Sequence, residues 1–232
     1  MKKLIWLFCF LSFTINCFPQ PGRLDSSFGN KGIQLTSFFK GNAGSELPIN
    51  TFLQSDGKIL VAFMSAARAM IVRYLQDGSL DLSYGNQGFS LSADIEMVNA
   101  VLLSDGKTLL IGQNLQTKKV VLVRYTNNGF IDSTFGKNGV VNTDPRSNLF
   151  AISGAVQEDG KIVVGGYVSS TLAVARFNSN GTLDNSFNGS GMSVPNPDVN
   201  GAIYEIAVQK DGKILAAGTA NEAFALVRYN LD

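Results

Sequence analysis

The sequence predicts an all-β fold built as a β-propeller of four blades, each of four antiparallel strands. Three observations predict it. Three short motifs recur four times in fixed order, and the segments between them are short, β-branched and interrupted by glycine. The first and last motifs are also in phase with each other, as a ring requires.

The motifs justify the repeat. Asp-Gly-Lys stands at Asp56-Gly57-Lys58, Asp105-Gly106-Lys107, Asp159-Gly160-Lys161 and Asp211-Gly212-Lys213. An arginine-aromatic pair follows each, at Arg73-Tyr74, Arg124-Tyr125, Arg176-Phe177 and Arg228-Tyr229. The third motif is Leu24-Asp25-x-Ser27-Phe28-Gly29. It returns from Leu80 to Gly85 and from Ile131 to Gly136, and again from Leu183 with Asn188 inserted before the glycine.

Each unit reads as strands joined by turns. Residues 203–209 form a first strand, and Asp211-Gly212 is a strong hairpin signal, the glycine taking a positive φ. Residues 214–219 return as a second strand and 224–229 as a third. A polar turn such as 76–79 leads into the Leu-Asp-x-Ser-Phe-Gly loop, and a short fourth strand closes the unit, as in Val140-Val141-Asn142. Four strands in about fifty residues is the size of a propeller blade. Joining Asp232 to 21–25 nearly restores the internal spacing, so residues 32–38 are expected as the outer strand of the last blade. Such closure removes exposed sheet edges.

These motifs resemble the delta-60 repeat family of extracytoplasmic bacterial repeats, over about residues 22–232. The departures are Tyr84 for Phe, Phe177 for Tyr, and Asn188. The resemblance implies a β-propeller and no known reaction. It also implies more blades than four, which leaves two alternatives: a monomer whose four-bladed ring closes alone, or a dimer sharing an eight-bladed ring.

Residues 1–20 read as a signal peptide. Lys2 and Lys3 precede an apolar run over 4–13, and cleavage is expected between 17 and 20, with a lipoprotein signal at Cys17 as an alternative. The run is too short for a transmembrane span in the mature chain. Localisation is therefore expected outside the cytoplasm, in the periplasm, at the outer surface or extracellular. The leader holds both cysteines and the single tryptophan; with no histidine anywhere, the mature propeller of 21–232 has no Cys, His or Trp. Its charge falls from +1 to about −1, so no basic field exists to hold nucleic acid.

This composition withholds the residues of most catalytic sites. There is no Ser-His or Cys-His arrangement, no thiolate and no imidazole metal site. The expected role is non-catalytic: a binding or scaffold module at the cell envelope, with an extracellular protein or glycan as partner. The alternative is a glycan-active hydrolase using two carboxylates on the open face, with Glu46, Glu96 and Glu205 as candidates. The repeated arginines are expected to pair with motif aspartates such as Asp81 and Asp132, because a scaffold residue must recur in every unit. Function should lie where the units differ, in the connections at 40–48, 93–98, 144–149 and 194–201. Each carries acid: Glu46, Asp94 with Glu96, Asp144, and Asp198. Carboxylates gathered there would hold calcium or a cationic ligand, since hard cations take several oxygens. No EF-hand spacing accompanies them, and no other cofactor is expected.

Overall fold

A computed structural model describes residues 22–38, 46–65, 68–92, 95–143, 148–195 and 199–231. The expected leader over 1–20 lies outside them. Among the described residues no helix is long and apolar enough to cross a membrane.

The described residues form four antiparallel sheets in chain order. The first is β1 (Leu47–Leu53), β2 (Ile59–Ser65), β3 (Arg68–Tyr74) and β4 (Phe89–Ser92). The second is β5 (Ile95–Leu102), β6 (Thr108–Asn114), β7 (Val120–Tyr125) and β8 (Val140–Asn142). The third is β9 (Phe150–Val156), β10 (Ile162–Val168), β11 (Thr171–Phe177) and β12 (Met192–Ser193). The last has three strands: β13 (Gly201–Val208), β14 (Ile214–Ala220) and β15 (Ala223–Tyr229). Sequential strands pair with their neighbours, giving the blade-like meander that the repeat predicts.

Each first hairpin turns on Asp-Gly-Lys. In the first sheet Gln54 and Lys58 close a three-residue loop, with Gly57 N donating to Gln54 O at 2.9 Å. Gly57 sits at φ 80° there, where a side chain is strained, and Asp56 Oδ1 accepts from Lys58 N at 3.2 Å.

Successive sheets pack face to face through side chains that alternate along the strands. Ile71 and Leu60 of the first sheet meet Leu110 and Val123 of the second. Leu122 and Ile111 of the second meet Val164 and Ala175 of the third, and Val163 and Val174 of the third meet Ile206 and Ala216 of the last. The inner strands add one polar link per junction. Asn50 Oδ1 accepts from Ala100 N at 2.8 Å, Asn99 Nδ2 donates to Gly154 O at 3.2 Å, and Ser153 Oγ accepts from Ile206 N at 3.2 Å.

One expected strand is placed differently. Residues 34–38 do not pair with β15 but lie against the first sheet. Tyr74 Oη donates to Thr36 Oγ1 at 2.9 Å, and the Phe38 ring packs 5.4 Å from both Phe63 and Phe89. The reason is apolar cover: Phe38 closes over Phe63, Met70 and Val72, which have no preceding sheet to bury them.

Candidate functional site

The strand registers sort the loops onto two ends of the sheets. Pairing of Leu47 with Met64 and of Ala69 with Ser92 puts the start of β1, the β2–β3 turn and the end of β4 at one end. The Asp-Gly-Lys turns and the Leu-Asp-x-Ser-Phe-Gly loops occupy the other.

At the motif end the repeated Arg, Asp and Lys groups of the first three units are consumed by the scaffold. Arg73 Nε donates to Asp81 Oδ2 at 2.8 Å, and Lys58 Nζ approaches the same oxygen at 3.3 Å. Ser83 gives its hydroxyl (2.6 Å) and its amide (3.1 Å) to Asp81 Oδ1. The guanidinium lies 4.6 Å over the Tyr84 ring, and its Nη1 donates across to Asn127 O of the second sheet at 2.8 Å. Arg124, Asp132, Lys107, Thr134 and Phe135 repeat the cluster, with Arg124 Nη1 donating to Ser179 O at 3.1 Å. Arg176, Asp184, Lys161, Ser186 and Phe187 make the third copy. Burial alone would raise the Asp81 carboxyl, but the Ser83 bonds and the two cations outweigh it and hold it at about 2. Asp132 and Asp184 are likewise held well below the usual carboxylate range, against the same cost of burial.

The expected pairing of arginine with a motif aspartate is therefore found for Arg73, Arg124 and Arg176, each within one repeat, and not for Arg228 among the described residues. The lysine of Asp-Gly-Lys was missed as a partner. Its recurrence once in every unit, as the arginine recurs, is the signal that could have found it.

At the opposite end the repeats diverge. The second and third strands of a sheet are joined by two residues in the first, third and last sheets, but by five, 115–119, in the second. Lys118 in that longer turn pairs with Glu96 at 3.4 Å, both exposed. Glu46 lies beside a shallow cavity of about 190 Å³ lined by Thr36, Phe38, Val61, Phe63 and Tyr74. Asp94, Asp144 and Asp198 lie outside the described residues. Among the described residues no group of three or more His, Cys, Asp or Glu is placed to share a metal ion. Glu205 is exposed on β13, paired in register with Ala217. Asn50, Asn99 and Ser153 hold the same register position, so Glu205 stands where the other sheets link to a neighbour rather than among the acids of the variable end.

A family model, described as a domain of unknown function (DUF5122) beta-propeller, matches residues 54–84, 103–135, 157–187 and 209–232, just over half of the chain. The chain belongs to the DUF5122 β-propeller family. The resemblance drawn from the motifs thus holds at the level of a β-propeller repeat family, although the matching model does not carry the delta-60 name. No curated protein matches the chain. Among solved structures it is similar to a PL25 ulvan lyase, described as a polysaccharide lyase, at 11% identity and a TM-score of 0.49, covering 80% of this chain and 56% of that one. A second ulvan lyase structure, bound to -[GlcA(1-4)Rha3S]-, is similar at 11% identity and a TM-score of 0.48, over 86% of this chain and 58% of that one. Drosophila semaphorin 1a, extracellular domains 1–2, follows at 12% identity and a TM-score of 0.43, over 85% and 44%. The chain thus spans little more than half the length of the two lyases. At these identities the likeness concerns fold alone. The expectation that the chain is not an enzyme is corrected: two of the similar structures are of polysaccharide lyases.

Proposed function

We propose that this DUF5122 propeller is an exported binding module of the cell envelope, taking a protein or glycan ligand at the variable end of its sheets. The observation that carries the reading is the division between the two ends. The repeated Arg, Asp and Lys side chains of the first three units are engaged with one another, whereas the turn at 115–119 and the Glu96–Lys118 pair occur once. A scaffold repeats its structural groups, and a ligand face needs groups that differ from unit to unit. On this reading Glu46 and Glu96 stand at that face, where calcium or cationic groups on the ligand would meet them.

Two measurements test the proposal. Intact mass of the chain purified from cells expressing residues 1–232 should show a cut between 17 and 20; an uncut chain in the cytoplasm overturns export. Neutral, sulfated and uronate-bearing soluble polysaccharides, and envelope proteins released by detergent, are then titrated against the purified chain with calcium and with EDTA. Binding that is lost when 115–119 is shortened to a two-residue turn supports the variable end. Binding that survives this change, or none to any probe, overturns it.

A further inference from the structure

The third strands of the four sheets carry the same three positions toward the next sheet. They are Ala69, Ile71 and Arg73 on β3; Val120, Leu122 and Arg124 on β7; Leu172, Val174 and Arg176 on β11; and Phe224, Leu226 and Arg228 on β15. On β3, β7 and β11 the apolar pairs are at most 5% exposed. On β15 Phe224 is 78% and Leu226 62% exposed, and Arg228 is exposed without an ion-pair partner among the described residues. Glu205 lies in line with Ala217 and Leu226 on the same face. A contiguous apolar strip ending in an uncompensated arginine marks an interaction surface.

The complementary half sits on the first sheet. Gly29 N donates to Asp77 O at 2.7 Å, as Gly85 N does to Asn128 O at 2.8 Å one junction later. Asp25 Oδ1 accepts from the Ser27 hydroxyl at 2.6 Å and from its amide at 2.9 Å, the same cradle as at Asp81. Among the described residues Asp25 thus occupies a formed aspartate site that lacks its arginine and lysine, while Arg228 and Lys213 lack their aspartate; Lys213 reaches only Asp211 of its own turn there, at 3.0 Å. The first sheet shows the same want of a neighbour at Leu53, which is 72% exposed where Leu102 and Val156 are half-buried. Within one chain the two halves do not meet: β13 has no packing against β1 like that joining β1 to β5, β5 to β9 and β9 to β13.

We propose that the partner is a second copy of this chain: Arg228 and Lys213 of each copy pair with Asp25 of the other, Phe224 and Leu226 pack against Leu53 and the half-buried Val61 of the other's first sheet, beside the residues that Phe38 already closes over, and Glu205 accepts from the amide of its Thr51. Thr51 holds the register position of Ala100 and Ile206, whose amides make this link at two internal junctions. Each copy offers one half at each end, so two copies satisfy both junctions and close head to tail about a two-fold axis as eight sheets in a ring.

The test is the mass in solution of the chain purified from cells expressing residues 1–232, by sedimentation equilibrium. Twice the single-chain mass is expected. Arg228→Asp and Asp25→Arg should each sediment as single chains, and their equimolar mixture should recover the doubled mass, because each mixed junction then pairs opposite charges. Circular dichroism of the separate variants should retain the wild-type β signal. If either charge variant fails to fold, Leu226→Glu takes its place, with the dissociation constant expected to rise at least tenfold. A wild-type chain that stays single at every concentration overturns the proposal. So does a mixture that fails to pair while one chain carrying both substitutions is as stable as wild type, since that result places the junction within one chain.

Discussion

Arg176 Nε donates to Asp184 Oδ2 at 2.7 Å while its guanidinium lies 4.7 Å over the Phe187 ring. The arginine is 1% exposed, so its charge is supported wholly by neighbours. Removing the carboxylate would leave the buried Arg176 with no counter-charge and Lys161 with only the exposed Asp159, at 3.9 Å. Asp184→Asn is therefore expected to destabilise the chain by about 3–5 kcal/mol, the range for breaking one side of a buried pair. Urea unfolding measures it, and a loss below about 1 kcal/mol would show the cluster to be incidental.

The same carboxylates set an acid limit. Asp81 is held at about 2, below the ordinary 3.8, and Asp132 and Asp184 are also lowered. A carboxyl that ionises more readily in the folded chain contributes stability that is fully present above its unfolded value. That contribution is lost as pH falls through the folded value. The urea midpoint should change little through these groups above about pH 5, and fall steeply between about pH 4 and pH 2. In Asp132→Asn the fall over that window should be shallower, and an unchanged slope would exclude Asp132 as a contributor.

Much of this fold is legible in the sequence because its local signals agree. Glycine after aspartate sets each first turn, and alternation sets which side chains of 171–177 and 223–229 face a neighbour. The arginine–aspartate pairing is legible too, since a group repeated at a fixed step must serve the repeat. The lysine was less accessible: its reach from the first turn to Asp81 depends on how the hairpin stacks beside the third-motif loop, which spacing does not give. Glu205 was read as a carboxylate of the open face because it lies in an inner strand. Its role follows instead from the register shift between Ile203 and Glu205 on β13, which sets the side on which each later residue emerges. Phase alone puts residues 32–38 on β15, yet phase says nothing of the apolar face of Phe63, Met70 and Val72 that draws Phe38 to the first sheet.

Register equivalence with unequal burial gives a paired prediction. Leu122 and Leu226 hold the same position, but Leu122 is 0% and Leu226 62% exposed. Leu122→Ala removes packed methyl groups between two sheets and should cost about 2–5 kcal/mol. Leu226→Ala, measured at concentrations where copies are apart, should lie within about 0.5 kcal/mol of wild type. Equal losses in the two variants would mean that β15 is covered within a single chain.

The exposed Glu96–Lys118 pair should matter for ligands and hardly at all for folding. At 3.4 Å, with both side chains at least half exposed, it is screened by water and salt, so Lys118→Ala should change stability by about 0.5 kcal/mol or less. Thermal unfolding at low and high salt checks this, because a structural pair would weaken with salt and this one has little to lose. A large loss in Lys118→Ala would instead make the 115–119 turn part of the scaffold, and the variable end would lose its most distinctive feature as a ligand face.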